Sequence, residues 1–261
     1  MRTAVAARLS AFGRGGEEVA RHAGEMVALL VGSVRAAVRG QVPLREISAQ
    51  VHGMGIRSLV LVLITATLSG VVTSQQGGYQ FTGAVPLYVL GSVVVSSVIL
   101  ELGPVMTAIV FIGRVGARIT AEFGTMKVSE QFDALESLGR DPVRVLVAPR
   151  LIAGVIVMPL LIAMADVTGV FAGMLAARAT VGLGTEAFLY GARLFWHNWD
   201  LLYSLTKGLA FGLVIPLIAC HMGFRTTGGA EGVGRATTRS VMFMILAVLF
   251  MDAMFPPLLL H

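Results

Sequence analysis

Four ionisable residues lie within long apolar stretches of the sequence: Glu101, Asp166, Lys207 and Asp252. A charged side chain near the centre of a bilayer costs about 2.5–3.5 kcal/mol on insertion scales, so it usually faces a polar cavity or an opposite charge. Lys207 can pair with Glu101 or Asp166. From the residues alone, a polar patch in a substrate cavity and a set of ion pairs that fixes helix packing are equally good interpretations.

The sequence lacks the motifs of enzymatic chemistry. It contains no Gly-x-Ser-x-Gly elbow, no His-Glu-x-x-His zinc helix and no Gly-x-x-x-x-Gly-Lys phosphate loop. Cys220 is the single cysteine, which excludes an intrachain disulfide and a thiolate metal cluster. The histidines are scattered, at His22, His52, His197, His221 and His261. We therefore predict no catalysis, no metal and no cofactor in this chain, so any ATP and Mg²⁺ must bind to a partner subunit.

The elements that position the four charges are transmembrane helices. Hydrophobic residues make up 56% of the 261 positions and charged residues 13%, a balance that requires the bilayer as solvent. A crossing needs about 20 apolar residues. Five stretches qualify, and the first is short for a full crossing: 58–73, 85–112, 151–177, 201–224 and 240–260. The predicted fold class is an all-α membrane protein with five transmembrane helices.

The basic residues indicate how these spans are oriented. Seventeen of the 20 Lys and Arg residues lie before residue 58, within 114–150, or within 225–239, three segments that share one side of the membrane. Positive charge favours the cytoplasmic side. We predict a cytoplasmic N-terminus and a C-terminal His261 on the outer side. Because topology accounts for the net charge of +5, we predict no nucleic-acid partner.

Residues 1–56 are predicted to form a cytoplasmic N-terminus with an interfacial amphipathic helix, and residues 57–261 the five-span domain. Within the N-terminal segment, apolar residues recur at helical spacing, and charged residues lie on the opposite face. The stripe consists of Val19, Ala23, Met26, Val27, Leu30, Val34 and Val38. We favour a helix that lies on the membrane surface; docking on the chain's own spans would produce the same stripe.

A second amphipathic helix is predicted between spans two and three, at about residues 125–139. Gly139 is placed as its C-terminal cap, and Asp141-Pro142 prevents its continuation. Its apolar face consists of Val128, Phe132, Leu135 and Leu138. A cytoplasmic helix with such a stripe needs a partner.

Two further segments have distinctive compositions. Gly103-Pro104 lies inside span two, where proline removes a backbone donor, so we predict a kink near Glu101. The inner loop between spans four and five carries Arg235 and Arg239, which can meet lipid phosphates or a partner's acidic surface, or simply set the topology.

Several ordered motifs resemble the MlaE/YrbE permease family. They are ELGP at 101–104, GRVGARITAEFG at 113–124, EQFDALE at 130–136, DP at 141–142 and RATTR at 235–239. The resemblance extends from about residue 20 to the C-terminus. Leu100 stands where many Gram-negative members have arginine.

The resemblance implies a homodimeric ABC transporter permease in a bacterial inner membrane. Implied partners are a cytoplasmic ABC ATPase, an MCE-domain lipid-binding protein and a small STAS-type accessory subunit, and the implied cargo is phospholipid or a related lipid moved between inner and outer membranes. By the same resemblance, Glu101 and Lys207 belong to the lipid cavity. The residues that couple to the ATPase would be Glu130, Phe132, Leu135 and Glu136.

Two other interpretations remain at this point. An ion- or proton-coupled secondary transporter would use the four intramembrane charges as a relay and would need no ATPase. A scaffolding subunit would use the charges only to hold its helices together.

Overall fold

The computed structural model describes residues 2–81 and 85–259, with side chains described at Glu17 and from Ala20 onward. Over these residues the chain forms eight helices and no strand. Their bounds are α1 Arg2–Val38, α2 Leu44–Gln80, α3 Val89–Val128, α4 Gln131–Ser137, α5 Val143–Val181, α6 Thr185–Leu194, α7 Asn198–Phe224 and α8 Gly229–Leu259. Helices α2, α3, α5, α7 and α8 are long and apolar enough to cross a membrane, which confirms the predicted fold class.

Helix α5 is the centre of the bundle. In its most apolar stretch 61% of the residues are buried, against 22% in α2 and 17% in α8. It packs against α2 and α7, and α8 packs against α3 and α7 on the periphery. We call the end of the bundle that carries α1 and α4 the basic end. The main core runs along α3, α5 and α7, and its buried side chains include Phe111, Phe123, Met158, Phe211 and Ile215.

Glycines permit the close contacts of α5 with its neighbours. A Cβ at Gly70 of α2 would collide with the carbonyl oxygen of Gly169 in α5. The same is true where α5 crosses α7, because Gly154 and Gly212 each place a carbonyl where the other's Cβ would lie. Small residues let helix backbones touch in membranes, where dispersion contacts replace the hydrophobic effect as the source of helix association.

The spans are longer than the apolar runs that predicted them. The first, predicted at 58–73, is the 37-residue helix α2, which includes a π-helical turn over His52–Ile56. The predicted domain boundary between residues 56 and 57 falls inside this helix. Likewise α8 begins at Gly229, so the predicted loop arginines Arg235 and Arg239 are helical. The apolar run marks only the part of a helix within hydrocarbon, and polar turns continue it into the interface.

Helix α1 docks on the bundle and still exposes an apolar stripe. Met26, Leu29 and Leu30 pack against the core, and Ser33 and Ala36 are buried. The opposite face leaves four valines exposed at helical spacing: Val27, Val31, Val34 and Val38. Docking on the chain's own spans therefore accounts for one face of the helix, and contact of the valine face with the membrane surface stays a prediction. The side chain of Val19 lies outside the described residues.

The connection between α3 and α5 differs from the single helix predicted over about 125–139. The chain breaks after Val128, and Glu130 adopts a left-handed conformation with φ 56° before α4 begins. Gly139 does end α4, with φ 72°. Its N–H donates to the Glu136 carbonyl at 2.9 Å, and the N–H of Arg140 donates to Leu135 at 3.0 Å. These two bonds form a Schellman motif, which uses glycine because a Cβ disfavours positive φ.

The apolar face of α4 is divided between the core and the surface. Phe132 is only 4% exposed, and its ring packs against Phe123 and Phe224, with centroid distances of 5.6 and 4.6 Å. Leu138, by contrast, is 76% exposed. The prediction that these residues form one continuous exposed stripe was wrong, because the break at Glu130 rotates α4 so that Phe132 points inward.

Candidate functional site

The site begins at the proline of span two. Helix α3 widens into a π-helical turn over Val98–Leu102, immediately before Gly103-Pro104. Proline has no N–H, so the carbonyl four residues earlier, that of Leu100, has no α-helical donor. Lys207 of α7 donates its Nζ hydrogen to that carbonyl at 2.8 Å. The predicted kink is thus a π-helical turn whose free carbonyl helps to hold the buried lysine.

Lys207 joins three spans through its ammonium group. Its side chain is completely buried, and Nζ lies 3.0 Å from Oε2 of Glu101 on α3 and 2.6 Å from Oδ1 of Asp252 on α8. The contact with Glu101 is a hydrogen bond, whereas the one with Asp252 is an ion pair without hydrogen-bond geometry. The ring of Tyr203, one turn earlier, lies 4.9 Å from Nζ. A buried ammonium requires such compensation.

Asp166 stands apart from this cluster. Its Oδ2 accepts a hydrogen bond of 2.7 Å from Ser204, a buried residue one turn from Lys207. Its Oδ1 finds no hydrogen-bond donor within the described part of the chain and lies where a Cβ of Gly103 would be. Of the two sequence-based pairings of Lys207, the structure contains the one with Glu101, and Asp252 takes the place considered for Asp166.

The two carboxylates of the cluster differ in accessibility. The Glu101 side chain is 54% exposed, and that of Asp252 is 9% exposed. Glu101 is therefore the carboxylate of the cluster that is accessible to groups outside this chain. Asp252 was the residue that sequence reasoning failed to pair. The sequence showed Asp252 as one of four intramembrane charges, but it did not show that Asp252 and Lys207 face each other.

At the basic end, charged side chains pair across and along helices. Arg150 is buried and donates to Glu122 at 2.8 Å, with its guanidinium 4.8 Å from the centre of the Phe123 ring. Arg235 pairs with Glu231 one turn earlier in α8 at 2.6 Å. Exposed pairs of this second kind contribute about 0.3–0.5 kcal/mol, so Arg235 retains its capacity to contact another molecule.

The chain matches a family of known membrane proteins over most of its length. The family model described as Permease MlaE matches residues 47–257, which reaches all five spans and includes the Lys207 cluster. This chain belongs to the MlaE permease family. It is a multi-pass membrane subunit of the ABC transporter permease type, and the alternative of a secondary transporter is set aside.

The permease is similar to curated proteins along most of its length. A probable ABC transporter permease protein of Synechocystis is 37% identical over 211 residues, covering 81% of this chain and 80% of the relative. The intermembrane phospholipid transport system permease protein MlaE of Haemophilus influenzae is 33% identical over 248 residues, covering 94% of both chains. The chloroplastic protein Trigalactosyldiacylglycerol 1 of Arabidopsis thaliana is 34% identical over 230 residues, covering 88% of this chain and 66% of the relative.

Proposed function

We propose that this permease moves phospholipids or related lipids between the inner and outer membranes of a bacterium, driven by a separate ABC ATPase that binds ATP and Mg²⁺. The single observation that carries the proposal is the buried Lys207 cluster with its exposed carboxylate Glu101. The name of the Haemophilus relative supplies the cargo class.

The chemistry of the cluster suits a lipid headgroup. A phospholipid presents a phosphate anion and, when zwitterionic, an ammonium group. Glu101 can accept hydrogen bonds from such an ammonium, and its departure from Lys207 would release an ammonium donor for the phosphate. The carbonyl of Leu100 would continue to accept a hydrogen bond from Lys207 during that exchange.

A second copy of the permease would complete the cavity. A carboxylate that is 54% exposed on a membrane-spanning helix cannot face hydrocarbon cheaply, because an intramembrane charge costs several kcal/mol without a polar environment. The two spans with the smallest buried fraction are α2, which contacts the π-helical turn that carries Glu101, and α8, which carries Asp252 of the same cluster. In a homodimer, two Glu101 side chains would line one polar pocket between two apolar walls that take the acyl chains.

The proposed orientation follows the positive-inside rule. The basic end, with α1 and α4, would face the cytoplasm, and the end with α6 would face the periplasm. The terminal His261, predicted on the outer side, lies outside the described residues. An MCE-domain lipid-binding protein would receive or deliver lipid at the periplasmic end, and a small STAS-type subunit would join the ATPase.

The ATPase would contact α4. Glu136 on α4 and Glu130 just before it are exposed, Leu135 is half-buried, and the apolar Leu138, just after α4, is 76% exposed. Phe132 takes a different part in this proposal, because it anchors α4 to the core next to Phe224 of α7. Movement of α4 with the closing ATPases would thus be transmitted to the helix that carries Lys207, and the closing cavity would expel the lipid.

Leu138→Asp is expected to weaken binding of the ATPase roughly tenfold or more without lowering the stability of the permease, because it places a charge in an exposed apolar contact. Phe132→Asp is expected to lower stability as well, by about 3 kcal/mol or more, because it puts a charge into the aromatic cluster. Affinity is measured by titrating purified ATPase onto permease in nanodiscs, and stability by thermal unfolding in detergent.

Ser137→Asp is the matched control for α4, since it adds the same charge at the neighbouring exposed position. An equal loss of affinity in Ser137→Asp would point to charge repulsion and against an apolar contact at Leu138. Full affinity in Leu138→Asp would remove α4 from the proposed ATPase interface.

Glu101→Gln is expected to reduce retained phospholipid and lipid transfer roughly tenfold with the fold intact. The substitution removes a charge-assisted hydrogen bond that is worth about 1.5 kcal/mol or more. The fold should stay intact because the Glu101 side chain is half exposed. Native mass spectrometry of the purified permease measures retained lipid, and transfer between vesicles measures transport. Glu186→Gln, an exposed carboxylate on α6, serves as control. Unchanged retention in Glu101→Gln would assign the cluster to packing alone.

The whole assignment is tested by purifying the tagged chain from native membranes in mild detergent. Mass spectrometry should find an ABC ATPase, an MCE-type protein and phospholipid with it. A chain that transfers lipid without any ATPase would contradict the proposal.

A further inference from the structure

A cluster of nitrogen and oxygen ligands joins α1 to the basic end of α7. His22 and Glu25 lie three residues apart on one face of α1, and His221 lies near the end of α7. Nδ1 of His22 is 2.7 Å from Nε2 of His221, and Nδ1 of His221 is 3.7 Å from Oε2 of Glu25. One ligand atom from each residue lies within 4.8 Å of the others. The lipid cavity makes no use of this cluster.

The carboxylate of the cluster is held in place by an arginine at the C-terminal end of α7. Nη1 of Arg225 lies 2.8 Å from both oxygens of Glu25. The hydrogen bond from Arg225 is the main cause that lowers the pKa of the Glu25 carboxyl, and the charges of Arg225 and the nearby histidines add to it. Each carboxylate oxygen has two lone pairs, so contact with one guanidinium nitrogen leaves a lone pair on each oxygen for another cation.

We propose that His22, Glu25 and His221 bind one divalent transition-metal ion of the zinc class. Two imidazoles and one carboxylate are a ligand set that Zn²⁺ takes in proteins, with a fourth position left to water. Arg225 would be the outer partner that orients the carboxylate, as metal-ligating carboxylates generally have. This inference is independent of the proposed lipid transport, and it departs from the sequence-based prediction of no metal, because the fold brings together histidines that are far apart in the sequence.

The geometry requires only side-chain adjustment. Two ligand atoms bound to one Zn²⁺ at about 2.0–2.1 Å with tetrahedral angles stand roughly 3.3 Å apart. The His22–His221 nitrogens must therefore separate slightly and the carboxylate must approach. His221 is 3% exposed and fixed by its packing, whereas His22 and Glu25 are half-buried on α1 and have room to rotate. Without the ion, the two imidazoles are within hydrogen-bond distance of each other.

The ion would fasten α1 to the spans. Two of its ligands come from the N-terminal helix and the third from α7, so metal binds the docked arrangement of α1 and not a detached one. Ligand binding to one of two states stabilises that state by mass action. Loading with metal should therefore protect α1 from proteolysis and raise the melting temperature of the permease.

The test is a Co²⁺ titration of the full-length permease in detergent after dialysis against chelator. We expect one equivalent per chain, visible absorption bands typical of tetrahedral cobalt, displacement by Zn²⁺, and protection of α1 from trypsin. His22→Gln should weaken binding at least tenfold. His52→Gln, an exposed histidine outside the cluster, should bind as the unchanged permease does.

A cysteine replacement at His22 distinguishes the loss of a metal ligand from a loss of binding that is caused by misfolding. His22→Cys should keep one equivalent and add a thiolate-to-cobalt charge-transfer band, since cysteine is itself a zinc ligand. Cys220 is buried and lies outside the three-residue cluster, so we expect no such band from the unchanged permease. The absence of saturable Co²⁺ binding by the unchanged permease would overturn the proposal, and so would equal affinity in His22→Gln.

Discussion

Lys207→Met is expected to lower the free energy of unfolding by roughly 3–5 kcal/mol, the range found when one partner of a buried ion pair is removed. Methionine keeps much of the volume, but it leaves Asp252 buried beside no cation and the carbonyl of Leu100 without its donor. Three helices lose their common contact. Unfolding of the purified permease by SDS in mixed micelles, followed by circular dichroism, measures the loss.

Two companion variants locate the origin of that loss. Adding Asp252→Asn to Lys207→Met removes the stranded charge, so the double variant should regain part of the stability. Glu101→Gln alone should cost much less than Lys207→Met, because the Glu101 side chain is 54% exposed and water or headgroups can compensate it. Should Lys207→Met prove as stable as the unchanged permease, the ion pairs would contribute nothing to the fold.

Gly70→Ala and Gly154→Ala form the second prediction, with an expected loss of about 1–3 kcal/mol each or more, as for overpacked cores. In both cases the added methyl group meets a backbone carbonyl on the neighbouring helix, and a backbone cannot rotate away as a side chain can. The helices must separate, which loosens the contacts of α5 with α2 or α7. The melting temperature and the yield of monodisperse protein report the effect.

Gly113→Ala is the matched control for this pair. Gly113 is also inside a membrane-spanning helix, but nothing lies within 4 Å of the position that its Cβ would take. Alanine there should be neutral or stabilising, since alanine is favoured over glycine in helices by about 1 kcal/mol. Equal losses at Gly113 and Gly70 would indicate that the glycines matter for backbone flexibility and not for close helix contact.

The arrangement of the cluster links stability to the proposed transport. Lys207 contacts Glu101 of α3 and Asp252 of the peripheral helix α8. It lies on α7, and Phe224 at the other end of α7 packs against Phe132 of α4. We propose that a displacement at the basic end is transmitted along α7 and changes the distances around Lys207. Variants at Phe132 and Lys207 offer a double-mutant test of that coupling.

Much of this permease was determined locally by its sequence. The five apolar stretches predicted five transmembrane helices, because runs of about 20 apolar residues match the thickness of the hydrocarbon core of a bilayer. Gly139 fixed the end of α4 through its positive φ, and Pro104 fixed a distortion in α3 through its missing N–H. The opposite charges of Glu101 and Lys207 suggested their pairing. Each of these features depends on a single residue or on neighbours in the chain.

Tertiary structure decided the features that depend on helix rotation. Asp252 rather than Asp166 joins Lys207, Phe132 faces inward, and Asp166 binds Ser204. An apolar pattern inside a bilayer has little amphipathic contrast, so it does not state which face of a span meets which neighbour. That choice was made by the glycine contacts of α5 with α2 and α7, because backbones touch only at one rotation of each helix, and the charges then pair with whatever that rotation brings near.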